Sequence, residues 1–261
     1  MEVRGVMSVG CVVVDLAKII DHYPSPNHLA MISDVAVSTG GPAFNMAVNL
    51  RQLAVTYPVA IHGAIGADEH GRYIHAECGR LGIDSSGLER RPEVATAFTD
   101  VFLERDSGRR TMFYHPGAND YYDAATIDFD QHRARILHTG SPGALRLMDS
   151  PAAGAGTGRG NGWSALLARA QAAGLHTNME LIDLDGERTR TLVEPCLRHL
   201  DSLVINELEA GAITGIHSPS PDADGAVDWA TLEAMARRLV EMGVSTLVVV
   251  HFPAGAVAAA P

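Results

Sequence analysis

Lysine is nearly missing from this chain: of 20 basic residues only Lys18 is a lysine. A Walker A phosphate loop needs a lysine close to its end, so that device is excluded. Positive charge is scarce altogether, with 20 Lys and Arg against 31 Asp and Glu and a net charge of −11. A duplex-gripping surface needs a positive stripe, so no nucleic-acid partner is expected. The three cysteines, Cys11, Cys78 and Cys196, are odd in number and far apart. That spacing fits a reducing compartment better than a disulfide framework, and the expected location is the cytoplasm. Long apolar runs are also lacking. The run from Val6 to Ile20 is broken by Asp15 and Lys18; it is too short to span a bilayer and has no signal-peptide cleavage pattern, so no membrane partner is expected. What remains is 261 residues, 46% of them apolar, ample for a core that needs no disulfide or metal and read as a single domain over 1–261.

Met7 to Val14 is a continuous apolar run ending at Asp15, the pattern of a strand buried on both faces. Gly40-Gly41-Pro42 opens a helical pattern with Pro42 in its first turn, followed by a strand over Val59 to Ile65 and a helix over Gly71 to Leu81 closed by Gly82. Ala95 to Phe102 and Thr111 to Tyr114 flank Asp106-Ser107-Gly108, the signal of a two-strand hairpin off the main sheet. Strands then recur at Ile136–His138, His176–Leu181, Leu203–Ile205 and Thr246–Val250, with helices from Trp163 to Ala173 and after an N-cap at Asp228. This alternation predicts an α/β architecture with a mostly parallel sheet. The alternating glycines between Ala152 and Gly162 have no GxGxxG register and no strand leading into them, so they read as a loop and disfavour a nicotinamide-binding sheet.

Two constellations carry chemistry. Gly40 and Gly41 at a helix start allow close backbone approach to a ligand, Asn45 offers a donor and an acceptor one turn in, and Asp15 ends the first strand. A carboxylate and an amide converging there suit a polyhydroxylated ligand; a helix cap beside a strand-end acid is the alternative. In the second, Asn206 and Glu209 follow the strand Leu203–Ile205 in an NxxE spacing. The pair could hold a hydrated Mg2+ and phosphate oxygens, or simply cap a helix.

These pieces together resemble the ribokinase-like carbohydrate kinases, also called the phosphofructokinase B family. The resemblance runs through Asp15, Gly40-Gly41 with Asn45, Gly63 to Gly71, the hairpin after Thr96, Gly117-Ala118-Asn119, and Asn206 with Glu209. It implies a three-layer α/β/α fold with a small β lid formed by about 16–38 and 94–115. It also implies ATP- and Mg2+-dependent transfer of a γ-phosphoryl group to a hydroxymethyl group of a sugar or nucleoside. By this resemblance Asp15, Gly40, Gly41 and Asn45 bind substrate hydroxyls, and Thr96 to Phe98 belong to the lid, with Thr96 and Phe98 as substrate contacts. Asn206 and Glu209 serve the Mg–phosphate end, with Glu209 reaching Mg2+ through water. Asn178 stands where relatives carry an Asp-x-Asn strand end, with Glu180 following instead. A homodimer through the lid is a further implication.

One departure concerns catalysis. The family's Gly-Ala-Gly-Asp motif, which supplies the general base and an anion-binding helix start, is absent. Gly154-Ala155-Gly156-Thr157 has three of its letters in the wrong place, and His251 replaces the Thr of a nucleotide loop. The expectation is a chain lacking the family's carboxyl-terminal part, and a poor or inactive kinase as written. A sugar- or nucleoside-binding module without catalysis is the alternative. Elsewhere, His75-Ala76-Glu77 has no CxxC to complete a deaminase zinc site, Gly140 to Gly143 fails the GxSxG elbow, and Arg109-Arg110 fits a solvated turn or a substrate phosphate.

Overall fold

The computed structural model of the chain describes residues 5–129, 134–152, 160–217 and 228–261. The glycine run from 153 to 159, including Gly154 to Thr157, lies outside them. Two sheets organise the chain. The larger contains β1 (Val6–Gly10), β4 (Val59–Gly66), β5 (Asp84–Arg91), β8 (Ile136–Gly140), β9 (His176–Glu180), β10 (Ser202–Asn206), β11 (Leu247–Phe252) and β12 (Gly255–Ala259). Its order is β12-β11-β10-β9-β8-β1-β4-β5, and its strand pairings are parallel except for β11 with β12. The smaller sheet, β3-β2-β6-β7, is built from β2 (Val13–Ile20), β3 (Ile32–Gly40), β6 (Phe98–Glu104) and β7 (Arg110–His115).

The apolar run expected to form one strand ending at Asp15 is divided between the sheets. β1 stops at Gly10, whose φ of +123° suits glycine, and Val13 starts β2. Residues 5–14 are all buried, so hydrophobicity does not mark the break. Asp15 therefore stands on the second sheet, not at the end of a central strand.

Helices α1 (Pro42–Gln52) and α2 (Glu69–Leu81) pack on one face with Ile61, Ile65 and Leu88. Glycine at position 82, φ +67°, ends α2 in the left-handed conformation. The opposite face of Met7, Leu137, Met179, Leu203 and Val248 is covered by α4 (Gly162–Ala172), α6 (Glu207–Thr214) and α7 (Trp229–Glu241). Short α3 (Arg146–Asp149) and α5 (Gly186–Val193) complete the helices. The fold is a three-layer α/β/α arrangement, as the resemblance implies. Asp228 caps α7 by accepting the Thr231 N–H at 3.0 Å. Strand β5 escapes sequence reading because Leu88 is its one buried residue and it pairs with β4 alone. No helix among the described residues is long and apolar enough to cross a membrane.

Candidate functional site

Gly40 is glycine because Asp15 lies against it: a Cβ there would stand 2.2 Å from Asp15 Oδ2. Gly41 is held to glycine twice over, by a φ of +83° and by the Cys11 carbonyl, which would be 2.4 Å from its Cβ. No side chain caps α1, which begins here and carries Asn45 exposed in its first turn. A helix start without a side-chain cap, an exposed carboxamide and a half-buried carboxylate thus lie together. Burial raises the Asp15 carboxyl above its ordinary value, and the Thr99 hydrogen bond opposes that rise.

Strand register defines what stands beside Asp15. It pairs with Ser38 on β3 and Thr99 on β6, and Thr99 pairs with Tyr114 on β7. Cross-strand partners share a face, so Ser38, Asp15, Thr99 and Tyr114 form one row. Thr99 and Tyr114 were not singled out from the sequence. Their signal is strand parity, which becomes readable once β2 is known to pair with β6.

Thr96 and Phe98, expected as substrate contacts, are engaged within the protein. Thr96 is fully buried; its hydroxyl donates to Asp68 Oδ1 at 2.6 Å and accepts the Gly66 N–H at 2.8 Å. Its hydrogen-bonding groups tie β6 to the start of α2 and are not presented to a pocket. Phe98 pairs with Val14 and lies on the face opposite Asp15. Its ring stacks on His115, with centroids 5.0 Å apart, and meets His70 edge-on at 5.9 Å.

At the second constellation, Asn206 and Glu209 form a reciprocal capping box on α6. Asn206 Oδ1 accepts the Glu209 N–H at 2.8 Å, and Glu209 Oε2 accepts the Asn206 N–H at 3.0 Å. The capped-helix alternative is therefore present in the structure. Burial raises the Glu209 carboxyl, and the Asp183 and Glu180 charges push the same way against the Asn206 N–H and His251. A cavity of about 230 Å3 lined by Asp183, Glu207, Glu209 and His217 adjoins it. Crowded carboxylates are relieved by a cation, and hard oxygen donors suit Mg2+. Among the described residues no group of three or more His, Cys, Asp or Glu is placed to hold a metal ion. Asn178 lies inside β9, two residues before its end. Its Nδ2 donates to the Ser202 hydroxyl at 3.1 Å, and its Oδ1 accepts from His138 Nδ1 at 2.8 Å. Its amide joins neighbouring strands, and Glu180 occupies the strand end.

The whole chain has close parallels. Residues 4–260 match the family described as pfkB family carbohydrate kinase. A probable fructokinase-7 of Arabidopsis thaliana is 30% identical over 138 residues, which is 51% of this chain and 38% of that protein. The matched segment thus spans about two-fifths of that relative. Among solved structures, ribokinase from Giardia lamblia superposes with a TM-score of 0.71 at 19% identity, covering 95% of this chain and 69% of that one. Arabidopsis thaliana ribokinase complexed with ribose and ATP gives 0.71 at 20% identity, covering 96% and 72%. At such identities these structures speak for the fold, while the family match covers nearly every residue. The chain belongs to the pfkB family of carbohydrate kinases.

Proposed function

We propose that the chain binds a small sugar, or the sugar of a nucleoside, between the start of α1 and the second sheet, as acceptor for the ATP γ-phosphoryl group. The contact of Asp15 with Gly40 carries this reading. It places a carboxylate, able to accept from vicinal hydroxyls, against the backbone that leads into uncapped α1. Asn45 supplies a donor and an acceptor from the same turn, and Thr99 holds the carboxylate. At the phosphate end Glu209 would hold hydrated Mg2+, with Asn206 fixing its carboxylate. The bound ion supplies charge neutralisation for phosphate oxygens.

The 261-residue polypeptide contains no Gly-Ala-Gly-Asp. Without that general base and anion-binding turn, transfer is slowed by about 10^4-fold or more. The mutual capping of Asn206 and Glu209 favours a second reading, a sugar-binding module without catalysis. The buried free cysteines support the cytoplasmic placement. Val35, Val37 and Phe113, 59%, 51% and 60% exposed on the second sheet, support a homodimer through that sheet.

Calorimetry with pentoses, hexoses and nucleosides, with and without Mg-ATP, tests these readings alongside a transfer assay. Sugar binding strengthened by Mg-ATP with very slow transfer is the expected result. Binding indifferent to Mg-ATP identifies the module. Turnover at about 1 s⁻¹ or faster overturns the impairment, and absence of sugar binding overturns the pocket.

A further inference from the structure

Residues Cys11 and Val12 cross from one sheet to the other and belong to neither. Val12 is fully buried, so its N–H and C=O require partners that no neighbouring strand supplies. A single side chain, Asn119, provides both. Its Oδ1 accepts the Val12 N–H at 3.4 Å, and its Nδ2 donates to the Val12 carbonyl at 3.2 Å. The remaining Nδ2 proton points to the Tyr114 hydroxyl at 2.9 Å, and that hydroxyl donates to the Ala144 carbonyl at 3.1 Å. One relay therefore joins the crossover, the end of β7, and the loop after β8. Asn119 is itself fully buried, on the 3-10 turn Gly117–Tyr121.

We infer that Asn119 is a positioning residue that pins the second sheet at a fixed angle over the α1 start. The chemistry requires a carboxamide. An aspartate cannot donate to the Val12 carbonyl, and a leucine of similar size leaves the buried Val12 N–H and C=O unpaired. The leverage comes from what the crossover touches. The Cys11 carbonyl is the group against which Gly41 packs, Asp15 lies three residues beyond Val12, and Tyr114 shares the row of Asp15 and Thr99. Displacing Val12 would move the carboxylate relative to the helix start that completes its pocket. This rests on the sugar-binding reading above.

Two variants separate positioning from simple stabilisation. Tyr114→Phe removes one hydroxyl from a half-exposed ring and leaves the Val12 clamp intact. Asn119→Asp reverses the donor at the clamp itself. Amide hydrogen exchange is measured across both sheets, together with melting temperature and sugar affinity of the folded protein. In Tyr114→Phe the amides of β2 and β7 should exchange faster while those of β9 and β10 stay unchanged. Sugar affinity should fall about threefold to tenfold with the melting temperature nearly constant. Asn119→Asp should show the same pattern, larger, with a lower melting temperature. Sugar affinity at the wild-type value in folded Tyr114→Phe, or exchange that rises evenly over both sheets, overturns the pin. If wild-type protein binds no sugar in the panel, the ligand reading fails and the exchange pattern alone decides the pin: localised acceleration sustains it, uniform or absent acceleration refutes it.

Discussion

Asp15 carries a carboxylate at a place where folding would gain by its removal. Burial raises its folded pKa above the ordinary 3.8. Between those two values the unfolded chain has released the proton and the folded chain still holds it. Stability from this group is therefore greatest below 3.8 and declines as pH rises through the raised value. Asp15→Asn abolishes that decline and should stabilise the protein at pH 7 while removing sugar binding. Urea midpoints for both proteins across pH 3–8 provide the check, and a difference that does not grow with pH would sink the explanation. Gly40→Ala should also destroy binding, because its methyl group would occupy the carboxylate's position. Asp15 and the two glycines were legible as residues, since only tight backbone approach calls for such a pair at a helix start. Thr99 was not: its place beside Asp15 depends on a pairing between strands 84 positions apart along the chain, Asp15 to Thr99.

Helix α2 shows how an element is fixed at its end. The Asp68 carboxylate accepts the Gly71 N–H at 2.9 Å as an N-cap, and also accepts the Thr96 N–H at 2.7 Å and the Thr96 hydroxyl at 2.6 Å. Burial alone would raise its pKa, but the Thr96 hydroxyl and the two N–H groups together hold it below 3.8. That stabilisation is present above the unfolded value and is lost as pH falls through the folded one. Asp68→Ala removes the cap and leaves the Thr96 N–H and O–H without an acceptor, so a loss of about 2–4 kcal/mol is expected in urea unfolding at pH 7. The loss should shrink towards pH 2; a pH-independent loss would assign the effect to packing. Elements with such end signals were readable in advance, as the cap at Asp228 and the stop at Gly82 illustrate. Strand β5 and the exposed β3 were harder, since period-2 burial is weak or absent where a strand has little core to face.

At the scale of the molecule, the exposed Val37 and Phe113 of the second sheet should seat against a second copy. Two copies each carrying −11 repel one another, so the dimer should tighten as salt rises. Sedimentation of wild type and of Val37→Lys with Phe113→Glu tests this. A monomeric wild type at tens of micromolar in high salt would refute the interface. The division of one apolar run between two sheets also governs how the chain must fold. Val6 pairs with both Val59 and Ile136, while Asp15, a few residues later, waits for Thr99. This segment thus depends on partners as far along the chain as Ile136, and contacts this distant in sequence form slowly. Its nine apolar or small residues from Val6 to Val14 remain open to chaperones, and to other nascent chains, until Ile136 has been made.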